Sequence, residues 1–170
     1  MRALLVIDML RDFVEEGGPL PVPTARGIVK AINKEIRGAR ERKEPIIFVC
    51  DSHRKDDEEF RLYPPHCIAG TKGAQVVEEL EMRNSDKIVK KTRFSAFYRT
   101  RLTRLLRARK VDTLTLTGVL TDICVMYTAG DATMRGYKVR VPKGCVASLS
   151  EERHEGALRH MKEVLGAEVV

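Results

Sequence analysis

Three ionisable side chains and one thiol stand at positions where the sequence favours chemistry. Asp8 follows the apolar run ALLVI, Asp51 follows IIFVC, Lys91 follows KIVK, and Cys124 lies in TGVLTDICVMYTAGDA. A lysine placed against Asp8 and Cys124 would stabilise both a thiolate and a tetrahedral intermediate, as nucleophilic catalysis by a thiol requires. Each also has an ordinary explanation: Asp8 as a cap, Lys91 as a solvated lysine, and Cys124 as a core residue.

The local sequence around Cys124 predicts a helix N-terminus. Thr121 is a suitable N-cap, and Asp122 would lie in the first turn. The partial positive charge there favours a thiolate, and the backbone N–H groups can hold a developing oxyanion. A buried cysteine packed between helix and sheet fits the same residues equally well.

A second candidate site lies in the segment DSHRKDDEEFRLYPPHC. Asp51, His53 and His66 are oxygen and nitrogen donors of the kind that bind zinc, iron or manganese and leave positions open for water or substrate. Loop residues of these types are also common as solvated groups. The Pro-Pro pair directly before His66 restricts its backbone and favours a built site.

Alternating apolar strands and amphipathic helices predict one α/β domain, residues 1–170, with a Rossmann-like parallel sheet and helices on both faces. We expect about six strands in the order 3-2-1-4-5-6, with ligands bound at the carboxyl ends. That order makes strands 1 and 4 neighbours and brings Asp8 next to Cys124. The predicted strands are 2–8, 45–50, 87–90, 112–118, 136–141 and the terminal AEVV, and the predicted helices are 24–42, 75–80, 98–109, 122–135 and 150–164.

Composition limits the classes of function. The net charge is +7, but Lys and Arg are spread among many acids, and Trp is absent, so a nucleic-acid surface is not expected. No apolar run approaches the roughly 20 residues of a membrane helix, and the N-terminus offers no signal cleavage site, so we expect a cytoplasmic protein that does not enter membranes. The four cysteines form no CxxC pair, which disfavours a zinc ribbon.

Three segments together resemble one family. VIDMLRDF, KTRFSAF and TGVLTDICVMYTAGDA are similar to the motifs of the isochorismatase-like cysteine hydrolases, and they extend over most of the chain. Within that superfamily, DSH and PPHCIAGTKGA resemble the metal-binding segment of nicotinamidases, which hydrolyse nicotinamide to nicotinate and ammonia.

The resemblance implies specific roles. It implies a cysteine amidohydrolase that acts on a small amide, binds a divalent metal (zinc, with iron or manganese as alternatives) and self-associates into a homo-oligomer. It also implies a cis peptide between Val119 and Leu120, with the Leu120 and Cys124 N–H groups forming the oxyanion hole. The implied catalytic residues are Asp8, Lys91 and Cys124, and the implied metal ligands are Asp51, His53 and His66.

Other features of the site are less fixed by the motifs. Asp57 or Glu58 is the candidate for a fourth metal ligand. Phe13, Tyr63 and Phe97 are the predicted walls for a flat ring. Two other functions remain open: another amidase of the superfamily, acting on a carbamoyl or ureido compound without a metal, and a non-enzymatic protein that binds an anion at the helix N-terminus.

Overall fold

A single parallel sheet organises the chain in the computed structural model, which describes all residues from 1 to 170. The order is β3-β2-β1-β4-β5-β7, and β6 pairs with β4. This confirms the predicted order, because β7 is the terminal strand that was counted as the sixth; the two-residue β6 was not predicted. The strands are β1 (Arg2–Ile7), β2 (Ile46–Asp51), β3 (Lys87–Lys91), β4 (Thr113–Val119), β5 (Lys138–Val141), β6 (Val146–Ala147) and β7 (Glu168–Val169).

Helices cover both faces of the sheet, as predicted. Along β1, Leu5 belongs to one buried cluster and Leu4 to the other, because successive side chains of a strand point to opposite faces. Helix α2 contributes Ile32 to the Leu4 cluster, whereas α3, α4 and α5 pack on the Leu5 side. The helices are α1 (Arg11–Val14), α2 (Val29–Glu41), α3 (Leu102–Ala108), α4 (Met126–Met134) and α5 (Glu151–Glu163).

The predicted helix at 75–80 is wrong. The Gln75 carbonyl accepts from the Arg11 N–H at 3.0 Å, and the Val77 N–H donates to the Met9 carbonyl at 3.1 Å. This stretch therefore pairs with the chain that leaves β1, and tertiary hydrogen bonds override its local helical pattern. Two other helices are shorter than predicted, because α2 follows the 3-10 turn Ala25–Ile28 and α3 begins only at Leu102.

The carboxyl ends of β1 and β4 approach each other closely. Gly118 pairs with Ile7 across the two strands and has a φ of +105°, and a Cβ atom there would overlap the Ile7 carbonyl oxygen. Only glycine satisfies both conditions. The contact fixes the spacing between the residues that follow the two strands, Asp8 and the turn that carries Cys124.

None of the five α-helices combines the length and the apolar composition needed to cross a membrane.

Candidate active site

Lys91 lies at the centre of a buried cluster. Its Nζ is 2.5 Å from Asp51 Oδ1, 2.7 Å from Asp8 Oδ2 and 3.4 Å from Cys124 Sγ. All four side chains are buried. The three predicted catalytic residues thus meet at one point, and Asp51 joins them.

Four neighbouring strands each supply one member of this cluster. Asp51 and Lys91 are the last residues of β2 and β3, Asp8 follows β1, and Cys124 lies in the turn after β4. The Asp51 N–H donates to Asp8 Oδ1 at 2.9 Å, which fixes that carboxylate against the neighbouring strand. Asp8 itself has a φ of 51°, in the left-handed region that only a few per cent of non-glycine residues adopt.

The pKa values of the Asp8 and Asp51 carboxyls are shifted in opposite directions. Burial, together with the charge of Asp51, raises the pKa of Asp8 to about 6, although Lys91 opposes the change. Burial also acts to raise the pKa of Asp51, but Lys91 and His53 hold it below its usual value. Asp8 is therefore the carboxylate better matched to exchanging a proton near neutral pH.

The surroundings of Cys124 oppose the thiolate that its helix position favours. Burial raises its pKa well above the ordinary value, and Asp8 and Asp51 add to the effect, while Lys91 lowers it. Desolvation of the charged form outweighs the nearby cation. The thiol must therefore give up its proton as it reacts.

The turn that carries Cys124 differs from the predicted helix start. Residues Thr121–Val125 form a π-helical turn ahead of α4. Thr121 does not cap it, because its Oγ1 lies 2.9 Å from His154 Nδ1. The peptide between Val119 and Leu120 is cis, as the resemblance implied. The Leu120 carbonyl accepts from two N–H groups of the turn at 3.1 Å each, which fixes the backbone beside Cys124.

A second cluster adjoins the first through Asp51. His53 Nε2 is 3.6 Å and His66 Nε2 is 3.9 Å from Asp51 Oδ2. His53 Nε2 is buried and has no hydrogen-bond partner. Ligands of a tetrahedral metal with bonds of about 2.0–2.1 Å lie about 3.3 Å apart, close to these spacings.

The outer nitrogen of each histidine is also engaged. His53 Nδ1 lies 3.2 Å from Asp57 Oδ2, and His66 Nδ1 lies 2.8 Å from the Pro64 carbonyl oxygen. Both partners accept a hydrogen bond from Nδ1–H, and in this neutral tautomer each Nε2 presents a lone pair toward Asp51. This pattern is typical of metal-binding histidines, and the three residues fit a divalent cation.

Glu59 is a further carboxylate beside these three residues, and the sequence did not identify it. Its Oε1 is 3.8 Å from His66 Nε2 and its side chain is 9% exposed, whereas Glu58 is 76% exposed and lies near Arg61. Asp57 is an outer partner, because it contacts His53 Nδ1 and accepts from the Glu59 N–H at 3.0 Å. The capping pattern of DDEEF was the available clue: a turn that begins at Asp57 brings Glu59 toward the cluster.

A further carboxylate anchors the loop behind His66. Asp12 Oδ2 accepts a hydrogen bond of 2.7 Å from the N–H of Cys67, whose φ is 45°. The second aspartate of VIDMLRDF therefore holds the residue after His66 in a left-handed conformation. The sequence alone indicated no role for Asp12.

Both clusters open into one pocket with mainly apolar walls. Phe13 and Tyr63 line it, as expected. Phe97 does not: it stacks on Tyr137 with ring centroids 5.9 Å apart, inside the core. Phe94, three residues earlier, takes its place in the lining. The other apolar lining residues include Leu20, Leu120 and Ile123.

The sequence is similar to known proteins along nearly its whole length. Residues 2–170 match the model of the isochorismatase domain. The chain belongs to the isochorismatase family. An uncharacterized isochorismatase family protein of Bacillus subtilis, PncA, is 37% identical over 179 residues, which span 99% of this chain and 98% of the relative.

Solved structures share the isochorismatase fold over the whole chain. The pyrazinamidase/nicotinamidase of Streptococcus mutans is 41% identical, with a TM-score of 0.95 and coverage of 100% of both chains. The pyrazinamidase of Pyrococcus horikoshii, solved in complex with zinc, is 34% identical, with a TM-score of 0.93 over 99% of this chain and 98% of that one. The chain is therefore similar to isochorismatase-family hydrolases in both sequence and fold.

Proposed function

We propose that this isochorismatase-family hydrolase is a metal-dependent nicotinamidase, which converts nicotinamide to nicotinate and ammonia. The observation that carries the proposal is the shared carboxylate: Asp51 Oδ1 contacts Lys91 of the catalytic cluster, while Oδ2 faces the two histidines. Cys124 and the second cluster of Asp51, His53 and His66, with Glu59 beside it (the donor cluster), thus flank a single pocket. The similarity to the Streptococcus mutans pyrazinamidase/nicotinamidase supports the same substrate class.

Asp8, Lys91 and Cys124 perform the covalent chemistry. Asp8 takes the thiol proton as Cys124 Sγ attacks the amide carbon, and the oxyanion accepts hydrogen bonds from the Leu120 and Cys124 N–H groups. Asp8 then gives the proton to the departing ammonia, leaving a thioester. Water, deprotonated by Asp8, hydrolyses the thioester and releases nicotinate. Lys91 holds the charge balance throughout.

Asp51, His53 and His66 would hold the metal, with Glu59 beside them as a further carboxylate, and zinc fits their nitrogen and oxygen donors. When bound, the metal supplies an open Lewis-acid position that can take the ring nitrogen of a pyridine. Phe13, Tyr63 and Phe94 confine the flat ring and direct its carboxamide toward Cys124. The donors therefore serve recognition, and the covalent steps depend on the three catalytic residues.

Comparison of nicotinamide with benzamide tests the proposal. Benzamide has nearly the same shape but lacks the ring nitrogen, so a site built for that nitrogen should reject it by about 10⁴-fold. Ammonia release from each amide gives kcat/KM. We expect His66→Ala to lose most of this preference together with its metal. Similar rates on both amides would remove the nicotinamidase assignment.

The two alternative functions make different predictions. An amidase for carbamoyl or ureido compounds would release ammonia from those substrates and remain active in a purified protein that contains no metal. An anion-binding protein would release no ammonia from any amide in the panel. Metal analysis and the ammonia assay together separate the three cases. Self-association and a cytoplasmic location stay predictions.

A further inference from the structure

Arg93 contacts the outer side of the donor cluster. Its Nη1 lies 3.0 Å from Asp57 Oδ1 and 3.3 Å from Asp57 Oδ2, and 3.9 Å from Glu59 Oε2. No role in the reaction proposed above requires this residue. It lies two residues after Lys91, so the same strand end provides the central cation of the catalytic cluster and a cation beside the donor cluster.

Asp57 is the centre of this contact network. Its Oδ1 caps the 3-10 turn Glu58–Arg61 by accepting from the Glu59 N–H at 3.0 Å, and its Oδ2 lies 3.2 Å from His53 Nδ1. The Asp57 side chain is only 9% exposed. One carboxylate therefore orients a donor histidine and also fixes the backbone of Glu59.

We propose that Arg93 is the positioning residue that holds Asp57, and through it His53 and Glu59, and so sets the affinity of the site for its metal. The inference rests on the proposed metal site. Because β3 is part of the sheet, Arg93 connects the loop between His53 and His66 to a rigid element. Outer partners of metal ligands change metal affinity by about 10- to 100-fold when removed.

The charge of Arg93 acts in the opposite direction, since a guanidinium repels a bound cation. Its side chain is 41% exposed, so water and salt weaken this repulsion. Its contacts with Asp57, by contrast, are short and involve both carboxylate oxygens. The positioning effect therefore dominates, and removal of Arg93 lowers metal affinity.

The test measures zinc affinity directly. The purified protein is loaded with Zn²⁺ and titrated with a chromophoric chelator. We expect Arg93→Ala to bind zinc about tenfold more weakly than wild type. Arg93→Lys should recover part of the loss, because an ammonium keeps the positive charge near Asp57 but stands on a side chain of different length and shape.

Arg54→Ala is the matched control. Arg54 pairs with Asp56 through two contacts of 3.0 and 2.9 Å in the same loop, yet that arginine is 82% exposed and no donor histidine is involved. Its removal should leave zinc affinity unchanged. Thermal midpoints of zinc-free Arg93→Ala and wild type should be equal, which excludes a general loss of folding.

A double-mutant cycle with Asp57→Asn tests the pathway. If Arg93 acts through Asp57, adding Arg93→Ala to Asp57→Asn causes little further loss of zinc affinity. Arg93→Ala with wild-type or tighter affinity would overturn the inference and leave the metal site standing. Wild-type protein that takes up no more zinc than His66→Ala would instead overturn the proposed metal site itself.

Discussion

The two halves of the candidate active site are built on different supports. The catalytic half (Asp8, Lys91 and Cys124) lies at strand ends and in the turn after β4, where sheet hydrogen bonds fix the backbone. The metal half (His53, Glu59 and His66) lies in a loop whose shape depends on side chains such as Asp57 and on tight backbone positions. The first half therefore depends on the core, and the second on a few polar contacts.

Removal of the nucleophile should cause the largest loss of activity. Cys124→Ala should lower nicotinamide turnover by at least about 10⁴-fold, because no other thiol lines the pocket. Its zinc content should equal that of wild type, since the metal half does not use the thiol. Turnover and metal content of the same preparation provide the measurement. An active Cys124→Ala protein would transfer the chemistry to the metal half.

Loss of Lys91 should damage the fold as well as the activity. Lys91→Met leaves the buried Asp8 and Asp51 without their cation, so we expect a loss of about 3–5 kcal/mol in the free energy of unfolding. Urea denaturation measures it, and the exposed neighbour Lys90→Met is the control. Asp8→Asn added to Lys91→Met should recover part of the stability. Equal stability of the Lys91 and Lys90 variants would contradict the burial argument.

Metal removal should impair the metal half and leave the thiol of the catalytic half reactive. Chelated protein should lose nicotinamide hydrolysis by about 10²-fold or more, because the ring nitrogen then has no partner. Cys124 should still alkylate before Cys50, Cys67 and Cys145, since it alone of the four lines the pocket. Peptide mapping after brief iodoacetamide treatment shows the order. Equal labelling of all four thiols after chelation would mean that the catalytic half needs the metal for its own structure.

Gly118→Ala tests the dependence of the catalytic half on the sheet. The added Cβ would overlap the Ile7 carbonyl, so we expect a loss of about 3 kcal/mol in the free energy of unfolding. Gly136→Ala is the control, because Gly136 also has a positive φ of 82° but open space around it, and should cost about 1 kcal/mol. Equal losses measured by urea denaturation would show that the close approach of the strands is unimportant.

The smallest expected effect concerns the pocket wall. Phe94→Leu should raise the KM for nicotinamide by about fivefold and leave stability nearly unchanged, because Phe94 lines the pocket. Phe97→Leu should lower the free energy of unfolding by about 1 kcal/mol without changing KM, because Phe97 packs in the core. Steady-state kinetics and thermal denaturation of the pair provide the comparison. A reversed pattern would restore Phe97 as the wall.

The difference between the catalytic half and the metal half also explains which features could be predicted from the sequence. The strand order and the meeting of Asp8 with Cys124 follow from apolar runs and the geometry of parallel sheets. Lys91 follows for the same reason, as the residue that ends an edge strand. These predictions depend on backbone rules that every α/β sheet obeys.

Predictions that depended on side-chain contacts were less accurate. Glu59 faces the metal cluster instead of Glu58, because the turn starts at Asp57. Phe94 replaces Phe97 in the pocket, because Phe97 is drawn into the core against Tyr137. The helix terminus favours a thiolate at Cys124, but burial raises the pKa of the thiol and opposes this effect. Each outcome depends on neighbours distant in sequence.

Asp51 has two oxygens but a single negative charge to divide between the halves. Lys91 draws on Oδ1, and the histidine side draws on Oδ2. Charge taken by one side leaves less for the other, so metal binding at Oδ2 and proton binding beside Oδ1 would be thermodynamically linked. Such linkage is reciprocal: a bound metal would shift the protonation of the buried carboxylates by the same factor as that protonation shifts metal affinity. One fixed carboxylate would thus couple the two halves without any moving part.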